Sequence, residues 1–184
     1  MRVGSKGIKP GFKCNVSPEE RASKIICSIA VRRPLAIPGA SQVYGQVLCH
    51  SGCVVTTTTG HYVVEYMSDN YVHCNRCNKY KPRENFVFQG FLWIHDDLDP
   101  SFTDQDVSLE QFCLGMAAIM KGKSFDTFTH NCLQARYLTM KKFGMMSADP
   151  LNYKRCIFLQ GWHDLYGQKS RLENKTLKKK GAGK

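Results

Sequence analysis

The sequence contains no apolar run long enough to cross a lipid bilayer. Its best apolar stretch, Ile25 to Val31, is far shorter than the roughly 20 residues that a membrane-spanning helix needs. The amino terminus lacks the apolar core of a signal peptide, and Arg2 after Met1 excludes a myristoylation signal. These absences predict an intracellular, cytoplasmic protein with no transmembrane segment.

The nine cysteines follow no regular framework, and the chain contains no internal repeat. Because no secretion signal accompanies the cysteines, we expect reduced thiols rather than a set of disulfides. A small disulfide-stabilised domain is therefore not the class of protein that these cysteines indicate.

Acidic residues are scarce relative to basic ones. The 184 residues include 26 lysines and arginines against 15 aspartates and glutamates, which gives a formal net charge of +11. A surplus of this size favours a polyanionic partner, either nucleic acid or an anionic membrane surface. The basic run Lys178 to Lys180 could contact phosphates or serve as a nuclear-import signal.

The length of the chain allows one sizeable core and leaves too little for two ordinary domains. The first residues are rich in glycine and lysine, and the last ones are basic and poor in apolar residues. We predict a flexible basic arm over residues 1–16, a single domain over 17–166 and a disordered basic tail over 167–184.

Two capping boxes, each a serine followed three residues later by a glutamate or glutamine, predict helices over about 18–30 and 109–121. The boxes are Ser17 with Glu20, and Ser108 with Gln111. Apolar residues at helical spacing follow each box, and this spacing supports both predictions.

Between these helices the sequence is rich in valine, threonine and tyrosine, which favour strands. Short polar clusters separate the apolar runs, as in an antiparallel meander. The predicted strands are Val43 to Cys49, Cys53 to Thr59, His61 to Met67, Tyr71 to Asn75, Phe86 to His95, and a last short one at Ile157 to Leu159. Helices and strands together predict an α+β fold.

A third predicted helix begins at Cys132, behind Asn131, and ends before Gly144. The unpaired N–H groups and the dipole of a helix start favour a negative sulfur, so a thiol in this position ionises more easily. Because the thiolate is the nucleophilic form, Cys132 is a candidate catalytic nucleophile. The alternative is a small buried cysteine that only packs at a helix start.

A cysteine nucleophile needs a base, and two of the six histidines lie on neighbouring predicted strands. If the hairpin register sets His73 opposite Val63, His61 and His73 share one face of the sheet, about 7–8 Å apart at the backbone. His61 could then accept the proton of Cys132, while His73 orients the imidazole of His61. Taken singly, each histidine is better explained as a hydrogen-bonded structural residue.

The order of these residues resembles the H-box/NC family, which includes lecithin:retinol acyltransferase. The H-box segment is His61 to His73, and the NC segment is Asn131 to Tyr137. The family belongs to the NlpC-type superfamily of permuted papain-like proteins. The resemblance implies an antiparallel sheet packed on the helix that bears the cysteine, with Cys132 as nucleophile, His61 as base and His73 as the third residue.

The resemblance also implies a cysteine-dependent hydrolase or acyltransferase that acts on an ester, thioester or amide. A lipid or other acyl compound would be its substrate, and it would need no cofactor. Cellular members often carry a hydrophobic membrane tail, whereas this chain is more similar to the members of picorna-like RNA viruses that lack one. For several of those the resemblance implies regulatory or RNA-binding work, so the alternative is a non-catalytic basic module on the same fold that binds nucleic acid.

Two cysteine pairs provide a competing hypothesis. Cys74 and Cys77 form a CxxC pair, and Cys49 and Cys53 form a CxxxC pair upstream. Four thiolates at these positions could close a structural zinc site in a nucleic-acid-binding module. Against zinc, Cys74 alternates to the face opposite His73 and need not converge with the upstream pair, so thiols without a metal are the first expectation.

Overall fold

The computed structural model describes residues 11–34, 49–96, 99–125 and 131–145. Within these ranges the chain has the predicted α+β fold, with eight strands in one mixed sheet and three helices. The strands are β1 (Phe12–Cys14), β2 (Ile25–Pro34), β3 (Cys49–Thr57), β4 (His61–Tyr66), β5 (Val72–Arg76), β6 (Phe86–Phe88), β7 (Phe91–His95) and β8 (Ser101–Phe102). The helices are α1 (Pro18–Ala22), α2 (Leu109–Ile119) and α3 (Cys132–Lys142).

The strand order is β1-β5-β4-β3-β2-β7-β6, and β8 pairs with β2 outside this path. At its centre lies the meander β3-β4-β5, which confirms the strands predicted from Cys53 to Asn75. The predicted break between Cys49 and Cys53 is wrong, because β3 begins at Cys49 and runs without interruption to Thr57. The strands predicted at Val43 to Cys49, apart from its last residue, and at Ile157 to Leu159 lie outside the described residues, as does the basic tail. None of the helices in the described ranges has the length and apolar character needed to cross a bilayer.

The prediction of a helix over 18–30 is wrong beyond Ala22. The Ser17 capping box is present and starts α1, but the helix ends after five residues and strand β2 follows. β2 lies between β3 and β7, and its two buried isoleucines, Ile25 and Ile29, pack on opposite faces of the sheet, whereas Ile26 is exposed. A strand buried on both faces carries a continuous apolar run, and such a run cannot be told from a helix by spacing alone.

The prediction of a flexible arm over residues 1–16 is wrong for its last part, which includes a strand. Phe12–Cys14 form β1, which pairs in parallel with β5 and makes the sheet mixed rather than purely antiparallel. Lys13 contributes to this pairing through an ion pair with Asp69, 2.8 Å from Nζ to Oδ2. The long-range partner, and not the local composition, orders this segment.

The single strand predicted from Phe86 to His95 is two strands joined by a tight turn. Gln89 and Gly90 both have positive φ, at 51° and 79°, and β6 and β7 pair on either side of them. Two consecutive positive φ angles match the twist that a two-residue hairpin requires.

The sheet separates two cores, because alternate residues of a strand point to opposite faces. The helix-side core packs one face against α2 and α3, and it includes Tyr62, Val64 and Tyr66 of β4. The hairpin-side core covers the other face beneath β6 and β7, and it includes Val63, Phe86 and Trp93. Residues 62–66 of β4 are all buried, and the apolar ones contribute alternately to the two cores.

Helices α2 and α3 confirm the predictions made from their caps. Ser108 and Gln111 form the capping box of α2, and Asn131 caps α3. The two helices approach closely at Gly115, where an added Cβ would lie 2.6 Å from Cε2 and 2.7 Å from Cζ of Phe143. An added methyl group at this position would therefore require the Phe143 ring to move.

We predict that Gly115→Ala destabilises the protein although alanine favours helices. Overpacking against Phe143 costs about 1–3 kcal/mol, against a gain of about 1 kcal/mol in helix propensity. Urea unfolding should show a lower free energy of unfolding for the variant. In a Phe143→Leu background the loss should shrink, and an equal loss in both backgrounds would contradict this explanation.

Candidate active site

The start of α3 brings Cys132 to the sheet. Asn131 has extended backbone angles, and its Oδ1 accepts a hydrogen bond from the backbone N–H of Gln134 at 3.0 Å. This bond satisfies one of the free donors of the first turn and fixes where the helix begins. Cys132 is thus the first helical residue, as predicted, and it is 7% exposed.

The sulfur of Cys132 contacts the beginning of β3. The backbone N–H of Ser51 donates a hydrogen bond to Sγ at 3.3 Å, and the imidazole of His50 forms a side-chain hydrogen bond with the same thiol. Two donors directed at one sulfur favour its ionised form. The histidine beside the Cys132 thiol is therefore His50.

Glu65 of β4 lies on the other side of His50. Its Oε2 is 2.8 Å from Nε2 of His50, which makes a close ion pair without the alignment of a full hydrogen bond. Both residues are 3% exposed. Glu65 is paired across the sheet with Gly52, and a Cβ at Gly52 would lie 3.3 Å from Cβ of Glu65 and from the Trp93 ring. The absence of a side chain at Gly52 leaves this space to Glu65 and Trp93.

Two further described residues lie close to His50 on this face of the sheet. Arg33 of β2 is the register partner of His50, and its Nη2 is 3.7 Å from Oε2 of Glu65. The Trp93 ring packs edge-on to the imidazole, with 6.2 Å between the ring centroids. His50 is therefore enclosed by a thiol, a carboxylate, a guanidinium and an indole.

The ionisation of His50 reflects these neighbours. Burial lowers the pKa of an imidazole, but the contacts with Cys132 and Glu65 and their negative charges outweigh burial and raise the pKa of His50 to about 9. At neutral pH His50 is consequently protonated. A protonated imidazole beside an ionised thiol makes a thiolate–imidazolium pair.

The structure does not bring His61 to Cys132. His61 pairs with Thr56 near the far end of β3, six residues from His50, or about 20 Å along the strand at about 3.4 Å per residue. Its Nδ1 is hydrogen-bonded to Oγ1 of Thr56 at 3.0 Å, and its ring packs on Tyr80. Burial lowers the pKa of His61, so this imidazole tends to be neutral.

The predicted register of His73 is also wrong. Val63 pairs with Asn75, and His73 pairs with Glu65, four residues along β4 from His61. His61 and His73 are thus about 14 Å apart along the strand and do not meet. His73 instead is hydrogen-bonded to Asp69 of the β4–β5 turn, 2.9 Å from Nε2 to Oδ2.

The cysteines of the zinc hypothesis are divided between the two cores. Cys53 and Cys74 lie in the helix-side core, whereas Cys77 lies in the hairpin-side core. The side chain of Cys49 is outside the described residues. Within the described ranges no cluster of three or more histidine, cysteine, aspartate or glutamate side chains has an arrangement that could hold a metal ion.

Two signals in the sequence point to the residues that pattern reading missed. Glu65 is a lone carboxylate in the apolar strand HYVVEYM, and a buried acid needs a specific partner. His50 precedes Gly52, where the strand leaves room for a neighbouring side chain. Neither signal predicts that His50 and Glu65 are partners, because the register that brings them together depends on the whole meander.

A groove of about 400 Å³ lies at the other end of α3. Its lining includes Leu114, Gly115, Lys142 and Phe143. Since α3 runs for eleven residues at about 1.5 Å each, this groove is about 15 Å from Cys132. It does not belong to the Cys132 site.

Comparison with models of known protein families, with curated proteins and with solved structures found no match to the chain.

We predict that Cys132→Ala lowers the pKa of His50 from about 9 by about one unit or more, because an anionic partner raises an imidazole pKa by about 1–3 units. The pKa can be followed by NMR titration of the histidine ring protons. His61 serves as an internal reference and should titrate below 6.5 in both proteins. An unchanged pKa of His50 would mean that the thiol does not stabilise the imidazolium.

Proposed function

We propose that the chain is a cysteine-dependent hydrolase or acyltransferase with Cys132 as nucleophile and His50 as general base and acid. The observation that carries the proposal is the contact of a helix-start thiol with an imidazole that is itself paired with a carboxylate. A nucleophile, a base and a residue that orients the base are the parts that thiol catalysis needs. In this proposal His50 and Glu65 take the roles that the resemblance implied for His61 and His73.

We extend the proposal to a permuted papain-like fold. The strands that carry the base and the third residue precede the cysteine helix in the chain, which is the order implied by the resemblance to the H-box/NC family. Helix α3 begins at the cysteine and packs on β3 and β4, the strands of His50 and Glu65. Both features support this assignment of the fold.

In the proposed reaction the thiolate of Cys132 attacks the carbonyl carbon of an ester, thioester or amide and forms a C–S bond. The oxyanion accepts hydrogen bonds from N–H groups at the start of α3. The imidazolium of His50 gives its proton to the leaving group as the scissile bond breaks. Water or a second acceptor then loses a proton to His50 as it attacks the acyl-enzyme, and Cys132 leaves as the thiolate.

The proposed substrate is an acyl compound, with lipids included in that class. The formal charge of +11 favours an anionic surface or a nucleic acid as the partner near which the enzyme works. The mechanism needs no cofactor, because the nucleophile and the proton donor are both side chains of this chain.

We predict that iodoacetamide alkylates Cys132 with a pH midpoint well below the ordinary thiol pKa of about 8.5. The substitution His50→Gln should return the midpoint to about 8.5 or above, because the imidazolium that stabilises the thiolate is lost. His61→Gln is the matched control, and it should leave the midpoint unchanged since His61 lies at the far end of β3. Mass spectrometry assigns the alkylated cysteine.

Two results would count against the proposal. A wild-type midpoint near 8.5 would show that the thiol is not activated, and an unchanged midpoint in His50→Gln would show that His50 is not its partner. Either result favours the non-catalytic basic module, which requires no reactive thiol.

We also predict that a p-nitrophenyl acyl ester acylates Cys132 in a single turnover. The adduct mass should appear on the peptide that contains Cys132, and it should be absent from Cys132→Ser under the same conditions. His50→Gln should slow acylation at pH 7 by about 100-fold or more, which is the usual contribution of a positioned acid–base group. Equal acylation of wild type and His50→Gln would indicate a merely accessible thiol.

A further inference from the structure

Arg33 is a buried cation beside the proposed site. It is 8% exposed, and its guanidinium lies over two aromatic rings, with Cζ 4.3 Å from the Phe91 centroid and 5.3 Å from the Trp93 centroid. Its Nη2 is 3.7 Å from Oε2 of Glu65, the same oxygen that contacts His50. The stacked rings fix the plane of the guanidinium, so its charge stays near Glu65.

Arg32, the residue before Arg33 in β2, is an arginine that is not buried. Arg32 points to the other face of the strand, where it pairs with Asp96 at 3.2 Å and keeps 29% of its side chain exposed. Burying an arginine is costly unless a carboxylate compensates its charge. In the described part of the chain the carboxylate that pairs with Arg33 is Glu65.

We propose that Arg33 is a positioning residue of the Cys132–His50 site, which holds Glu65 against His50 and offsets the negative charge of Glu65. This inference rests on the proposed function. Its physical basis is that one oxygen of Glu65 is shared by two cations, one that titrates and one that does not. Because arginine keeps its proton, its effect on the site is constant with pH.

Among the described residues, three elements contribute charged groups next to His50. Cys132 faces it from α3, Glu65 from β4 and Arg33 from β2, while β7 contributes the uncharged Trp93. With a thiolate and an imidazolium present, these four groups sum to zero, which suits a site of low dielectric.

The balance of charge around His50 matters in the proposed reaction because His50 has to release a proton as well as hold one. Glu65 alone, 3% exposed, would bind the imidazolium strongly and keep the proton on His50 when the leaving group needs it. Arg33 weakens that attraction without removing the carboxylate. The inference is that Arg33 sets the pH range over which the pair can exchange a proton.

The test follows the alkylation of Cys132 and the NMR titration of His50 in the full chain. Removal of one positive charge in Arg33→Met should move both midpoints to higher pH by about one unit. Glu65→Gln should move both to lower pH, since the charge of Arg33 is then no longer offset. The double variant Arg33→Met/Glu65→Gln carries no unbalanced charge, and both midpoints should return to within a few tenths of a unit of the wild-type values.

Two controls separate charge from packing. Arg32→Met removes a charge from the neighbouring position on the opposite face, and it should move neither midpoint by more than a few tenths of a unit. Arg33→Lys keeps the charge and should move the midpoints less than Arg33→Met does. A residue needed only for packing would give no recovery in the double variant.

The outcomes also separate this inference from the proposed function. If the alkylation midpoint of wild-type Cys132 is that of an ordinary thiol and does not change in His50→Gln, the proposed function fails. If the wild type shows the His50-dependent midpoint but Arg33→Met leaves it unchanged, or the double variant does not recover, only the role of Arg33 is overturned. Should Arg33→Met not fold, the inference still requires a higher His50 pKa in the double variant than in Glu65→Gln, and equal values overturn it.

Discussion

The contact between the first turn of α3 and the first residues of β3 is the constraint on which the site depends. Asn131 fixes where the helix begins, so Cys132 lies in the first turn, where free N–H groups favour a negative sulfur. Ala135, one turn later, is fully buried, and its small side chain lets the helix lie close to the sheet. The N–H of Ser51 then reaches the sulfur at 3.3 Å. A helix begun one residue later would move the thiol off this contact.

The cap positions Cys132, and the register of the sheet positions Arg33, His50 and Glu65. Arg33 and His50 are direct partners, and Glu65 is set opposite Gly52 on the next strand. Three neighbouring strands thus present a guanidinium, an imidazole and a carboxylate on one face, beside the aromatic hairpin-side core. Exclusion of water strengthens each attraction between them, and it also makes the loss of any one partner costly. The same register therefore supplies both the chemistry and the rigidity of the site.

Local signals were sufficient for the parts of the fold that are locally determined. The caps at Ser108 and Asn131 gave the starts of α2 and α3, and the polar turns gave the central meander. The failures fall where partners are distant in sequence. The two buried isoleucines of β2 are spaced like a helix but serve two cores, and Cys132 meets Ser51 across 81 residues. The spacing of His61 and His73 is a local sequence pattern. It does not determine which end of the β4–β5 hairpin lies close to α3.

The pKa of an imidazole in this sheet depends on the groups around it, as a comparison of His61 with His50 shows. His61 lies against Thr56 and the Tyr80 ring, where burial lowers its pKa and favours the neutral form. His50 lies between a thiol and a carboxylate, where the charged form is favoured despite deeper burial. A thiolate needs a cation beside it, so the environment of His61 is unsuited to the role even if its ring were closer. The opposite pKa shifts of the two histidines thus follow from the groups that surround each imidazole.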